Sequence, residues 1–150
     1  MEQPDIIAAF SAVKGMKVSG IHRTHGSAIF LEFGNLIKRR EDAHPHGEIH
    51  FLSQLTFWRL IRNGRLIVGS ESSKSEIDFT FTIESFGTVR DAWLQDVSSD
   101  ITIKTSTELI IEFSWFGWDG DGESTVWTLF KGDKESWSLM TSGQVIYEEA

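Results

Sequence analysis

The chain has 150 residues, with 22 Asp and Glu against 14 Lys and Arg, a formal net charge of −8, 40% hydrophobic residues, six Trp, eleven Phe and no cysteine. A chain of this length and apolar content suits a single globular domain, able to bury roughly 70% of the surface it exposes when unfolded, and is not that of a disordered protein. The lack of cysteine excludes a disulfide scaffold, thiolate catalysis and any zinc site built on thiolates.

The start, Met1-Glu2-Gln3-Pro4-Asp5, is acidic where a secretory leader is basic, and the apolar run at 6–10 is too short for the leader's hydrophobic region. No apolar run approaches the ~20 residues of a membrane-spanning helix. A cytoplasmic protein without membrane association is expected. Pro4 is placed to open a short helix in which Ile6, Ala9, Phe10 and Val13 recur at helical spacing, and Gly15 stands in the stop position. The period then changes to two. Segments 17–23 and 27–33 flank the turn Thr24-His25-Gly26, and residues 38–47 form a loop without apolar periodicity. Ile49, Phe51, Leu55, Phe57 and Ile61 share one parity over a single long strand, with Trp58 and Leu60 on the other. Asn63-Gly64 is a two-residue hairpin turn, because both central residues of that turn need positive φ, and 65–69 returns as a strand. After a polar loop at 70–75, Ile77, Phe79, Phe81 and Ile83 alternate with Asp78, Thr80, Thr82 and Glu84, which predicts another strand. Further strands are predicted at 88–97, 101–105, 108–115, 125–131, 137–140 and 144–148.

Trp58-Arg59-Leu60-Ile61-Arg62-Asn63-Gly64 and Trp127-Thr128-Leu129-Phe130-Lys131-Gly132 are two versions of one pattern, a Trp-x-Leu-apolar-basic run that stops at a glycine turn. A pseudo-repeat of about 16–75 and 86–147 follows. The expected fold is therefore mainly β (α+β), an antiparallel sheet or half-barrel of two similar β units with one short N-terminal helix. Charge divides with the repeat: residues 1–75 carry net +3 and residues 76–150 net −11. Such a field repels nucleic acid and attracts a basic partner.

His44, His46 and His50, with Glu48 between the last two, are a plausible imidazole and carboxylate ligand set for zinc or another divalent ion. No helix presents them at fixed spacing. The same histidines, with Arg39 or Arg40 steadying a phosphate, could act as an acid and base pair on a phosphodiester, but the acidic field opposes that substrate. Asp119-Gly120-Asp121-Gly122-Glu123 alternates carboxylates as a calcium loop does, yet position twelve from Asp119 is Phe130 instead of an acid, so a hairpin tip is the simpler reading. Just before it, Trp115 continues the core parity of Ile111 and Phe113, while Phe116 and Trp118 take the opposite one. Phe116, Trp118, Asp119, Asp121 and Glu123 thus form a candidate partner-binding set, aromatic anchors ringed by carboxylates. No serine-nucleophile, phosphate-loop or dinucleotide motif occurs, and no cofactor is implied.

Gly47-Glu48, Trp58-Arg59-Leu60, Gly69-Ser70 and Trp127-Thr128-Leu129-Phe130 together resemble the Gly-Glu, Trp-Arg-Leu, Trp-x-Leu-Phe skeleton of a group of small, uncharacterised, β-rich bacterial proteins. Some comparable small acidic proteins are immunity proteins that cap a toxin domain. The resemblance and the charge together lead to the expectation of a binding protein rather than an enzyme, an immunity protein neutralising a basic toxin domain. The alternative is a small metal-dependent or histidine-based enzyme or ligand-binding protein using the 44–50 region.

Overall fold

A computed structural model describes residues 5–38, 44–95, 100–115 and 123–149. In chain order the described elements are α1 (Ile6–Ser11), β1 (Val18–Arg23), β2 (Ile29–Phe33), β3 (Ile49–Ser53), β4 (Phe57–Arg62), β5 (Arg65–Gly69), α2 (Lys74–Ile83), β6 (Val89–Leu94), β7 (Ile101–Thr105), β8 (Leu109–Ser114), β9 (Thr125–Lys131), β10 (Glu135–Met140) and β11 (Val145–Glu149). They build two antiparallel sheets, one ordered β1-β2-β3-β9-β10-β11 and the other β5-β4-β8-β7-β6, neither closed into a barrel. The fold is mainly β with a short N-terminal helix, as expected.

The strand order makes the two β units visible. In the first, the β1-β2-β3 meander lies in one sheet and the chain crosses to place β4-β5 in the other; in the second, β6-β7-β8 lies in that other sheet and β9-β10 crosses back. The units join at β3 with β9 and at β4 with β8. Trp58 on β4 and Trp127 on β9 occupy equivalent places just after the crossings, and both indoles are 1% exposed. Trp58 also donates Nε1–H to the Ser27 carbonyl at 2.7 Å. Alternate residues of each strand face one shared core, in which the Phe51 ring meets Phe10, Phe113 and Trp127 at 5.9, 5.0 and 5.8 Å.

Three expectations are corrected. The single strand across 49–61 is two strands: the chain leaves one sheet after Ser53 and enters the other at Phe57. Between them, Gln54 and Leu55 both donate to the Val126 carbonyl, and the Ser53 and Thr56 hydroxyls bond each other. The crossing resets the parity, so Phe51 and then Trp58 and Leu60 point inward while Phe57 is exposed. The predicted strand at 77–83 is helix α2. A residue spacing of two also contains the i, i+4 pairs of a helix, and Ser73 decides between the templates by capping, its hydroxyl accepting from the Glu76 N–H at 3.2 Å. Ile77 and Phe81 then pack inward, Phe81 against Trp58, while Phe79 and Ile83 are left 64% and 60% exposed. The Arg23 guanidinium docks α2 on β1 through two 2.9 Å bonds to Asp78. Finally, α1 ends at Ser11 and its cap is Asp5, which accepts from the Ile7 N–H. The Asn63-Gly64 turn is as expected, with φ of 52° and 74°.

Replacing either Trp58 or Trp127 by Ala is expected to cost about 3–5 kcal/mol in urea denaturation, because each empties a filled core position. Phe79→Ala, on the exposed side of α2, should stay within about 0.5 kcal/mol of the unsubstituted protein. Comparable losses at all three positions would contradict this assignment of inside and outside.

Candidate functional site

Pairing across β1, β2, β3 and β9 aligns Gly20, Glu32, His50 and Phe130 in one row, and His22, Phe30, Leu52 and Thr128 in the next row on the same face. This face lies opposite the core side of the sheet, which carries Leu31, Phe51 and Leu129. A strand read alone shows only that Glu32 and His50 are out of phase with the core. Their adjacency comes from the register of β2 on β3.

The centre of the face is the Glu32 carboxylate, only 2% exposed. A charge so buried needs donors, and two neighbouring residues supply them. The Gly47 N–H donates to Oε1 at 2.8 Å, and His46 Nδ1 lies 3.0 Å from Oε2 and 3.2 Å from Oε1. Because a carboxylate only accepts, Nδ1 of His46 holds the proton in this arrangement. His22 brings Nε2 to 4.0 Å from Oε2.

The surrounding rings are contiguous. His50 is stacked between His46, at 4.1 Å and 15°, and Phe130, at 4.4 Å and 14°. Phe30 touches His22, His46 and His50 at 5.2, 5.2 and 5.9 Å, and His44 lies on His22 at 4.3 Å. Ligand atoms of Glu32, His46 and His50 all lie within 4.8 Å of one another. Of the alternative ligand set His44, His46, Glu48 and His50, His46 and His50 come together and His44 joins through His22. Glu48 turns elsewhere, its Oε2 accepting from the Asn35 N–H at 2.8 Å. The carboxylate at ligand distance is Glu32, which sequence reasoning passed over as one polar residue of an alternating strand.

The loop that delivers His46 is held by main-chain contacts. Ile37 and His46 exchange both N–H···O bonds, at 2.7 and 3.2 Å. Gly47 presses against β2: a Cβ there would meet the Phe33 carbonyl oxygen at 2.3 Å and its nitrogen at 2.7 Å. The Gly47-Glu48 pair thus has a physical reading, with the glycine permitting close approach and the glutamate tying the loop to the turn after β2.

Burial, and after it the charges of His44 and His46, push the His22 imidazole down to about 4. At neutral pH it is therefore a neutral ligand or acceptor.

Phe116, Trp118, Asp119 and Asp121 lie outside the described residues, as do Arg39 and Arg40. Glu123 is exposed and lines a depression of about 710 Å³ together with His25 and Phe30. The acidic second half forms no separate lobe, since it supplies β6-β7-β8 to one sheet and β9-β10-β11 to the other. Among the described residues no helix is long and apolar enough to cross a membrane. Comparison of the chain with protein-family models, curated proteins and solved structures gives no match.

Two outcomes follow from this geometry. Gly47→Ala should destabilise the protein by about 1–3 kcal/mol, because backbone atoms of β2 must move, whereas Gly20→Ala, whose Cβ would meet Glu32 Cγ at an ordinary 3.5 Å, should be tolerated. Equal urea midpoints for the two variants would show that Gly47 is not a tight contact. His22 titrates near 6.5 when unfolded and about 4 when folded, so the unfolded chain binds more protons between those values. The stability of the metal-free protein should be full above that window and fall as pH drops through it. His22→Gln should flatten this slope in denaturation series at successive pH values; an unchanged slope would exclude His22 as its source.

Proposed function

We propose that the protein binds a divalent transition-metal ion through Glu32, His46 and His50. What carries the reading is the convergence to within 4.8 Å of one carboxylate and one imidazole from neighbouring strands and a second imidazole from the loop before β3. Mixed nitrogen and oxygen donors suit Zn²⁺, Ni²⁺ or Cu²⁺ better than Ca²⁺ or Mg²⁺, which prefer oxygen alone. The ion takes the place of the proton between Glu32 and His46, and Gly47 N–H continues to hold the other carboxylate oxygen. The imidazole proton moves from Nδ1 to Nε2 of His46, and binding weakens in acid, where protonated imidazoles no longer ligate.

The test is thermal unfolding of the metal-free protein with Zn²⁺ or Ni²⁺ added. At a hundredfold excess over Kd the folded state should gain about 2.7 kcal/mol. The gain should vanish in the His46→Ala/His50→Ala double variant and persist in His25→Ala. An equal shift in the double variant would mean that the ion binds elsewhere.

A second reading, the capping of a basic toxin domain in the manner of an immunity protein, draws support from a different place. Asp133, Glu135, Glu148 and Glu149 line one groove beside β10 and β11 together with a single lysine, Lys134, a predominantly acidic strip of the kind that speeds encounter with a cationic surface. If a basic partner is captured, reversing Asp133, Glu148 and Glu149 to Lys should slow its association and reduce the salt dependence of the rate, while Lys38→Glu should not. Equal rates for all these variants would set that face aside.

A further inference from the structure

We infer that His22 is the fourth ligand of this centre, which makes it a closed site that ties β1, β2, β3 and the 44–47 loop together instead of an open one that holds a substrate. The inference rests on the metal reading above and specifies what the ion does.

A tetrahedral ion with bonds of about 2.0–2.1 Å separates its ligand atoms by roughly 3.3–3.4 Å. Around Oε2 of Glu32 the two flanking nitrogens, Nδ1 of His46 at 3.0 Å and Nε2 of His22 at 4.0 Å, straddle that separation. Both lie within an ångström of that separation from Oε2; His22 stands outside the 4.8 Å cluster of Glu32, His46 and His50, so its ring must also turn toward the other two imidazoles to complete the site. His22 stands on β1 opposite Phe30, and the Phe30 ring touches His22, His46 and His50 alike, so three imidazoles border one aromatic side chain. The remaining candidates are less well placed. His44 packs on the His22 ring, and Glu48 is bonded to the Asn35 N–H.

With His22 included, the donors are three nitrogens and one oxygen, all from the protein. Four protein ligands mark structural zinc sites, whereas catalytic sites keep one position for water or substrate. The donors come from β1, β2, β3 and the loop that precedes β3, so the ion cross-links segments that only folding brings together and stabilises the native state alone. The centre then belongs to a metal-stabilised binding module, and the absence of a nucleophile or phosphate motif is in keeping with that role.

The test uses Co²⁺ as a spectroscopic probe and azide as an exogenous ligand. The unsubstituted protein should give the intense visible absorption of a four-coordinate centre, and azide should leave that spectrum unchanged. His22→Ala, or His22→Gln if the smaller side chain harms folding, should bind Co²⁺ at least tenfold more weakly, as expected when even a supporting partner of a metal site is lost. Its spectrum should now shift on addition of azide, which takes the vacated position. His44→Ala should change neither property. Unaltered Co²⁺ affinity in both His22 variants, or an azide-sensitive spectrum in the unsubstituted protein, overturns the closed-site assignment while leaving metal binding through Glu32, His46 and His50 intact. Absence of any Co²⁺ absorption in the unsubstituted protein removes the metal reading itself, and this inference with it.

Discussion

The buried charge on Glu32 is the constraint around which the functional face is organised. A carboxylate withdrawn from water costs several kcal/mol unless donors replace its hydration, and the two nearest donors come from the loop before β3, as the Gly47 N–H and His46 Nδ1. To deliver them the loop must lie against β2, which only a residue without a Cβ permits at position 47. One charge therefore accounts for the glycine, for the path of the loop and for the orientation of His46.

The sheet supplies the rigidity that this arrangement needs. β2 and β3 are interior strands, bonded on both sides, and Glu32 and His50 each sit between core residues in the strand pattern. Leu31, Phe33 and Phe51 anchor the same strands from below. Side chains on such strands are positioned by main-chain hydrogen bonds and packing on the opposite face, which is why donors presented there can be preorganised where loop residues are not. Only His44 and His46 come from a loop, and His46 is pinned through both of its backbone bonds to Ile37.

The two units, β1–β5 and β6–β11, exchange places between the sheets, so neither sheet belongs to one half of the chain. This interleaving mixes the basic first half with the acidic second half at β3–β9 and β4–β8. The histidine face is drawn mostly from the first half, with Phe130 from the second closing the stack on His50. The acidic strip along β10 and β11 belongs to the same sheet but extends toward its other edge, and the two candidate surfaces adjoin at Phe130, which stacks on His50 and lines the acidic groove.

By itself the sequence determined the fold class, most strand positions, the Asn63-Gly64 turn and the equivalence of the Trp58 and Trp127 strands, because local periodicity, turn chemistry and repeated patterns are properties of neighbouring residues. Among its candidate ligands His44, His46, Glu48 and His50, the structure brings only His46 and His50 to Glu32. The sequence could not separate helix from strand at 77–83, where one spacing served both templates until the Ser73 cap and the packing of Phe81 on Trp58 decided it. Nor could it show that the 49–61 run breaks, since the crossing between sheets is held by Val126, far along the chain. Glu32 and His22 joined the histidines only through strand register, a relation between residues 10 to 28 positions apart that pairing in three dimensions alone creates.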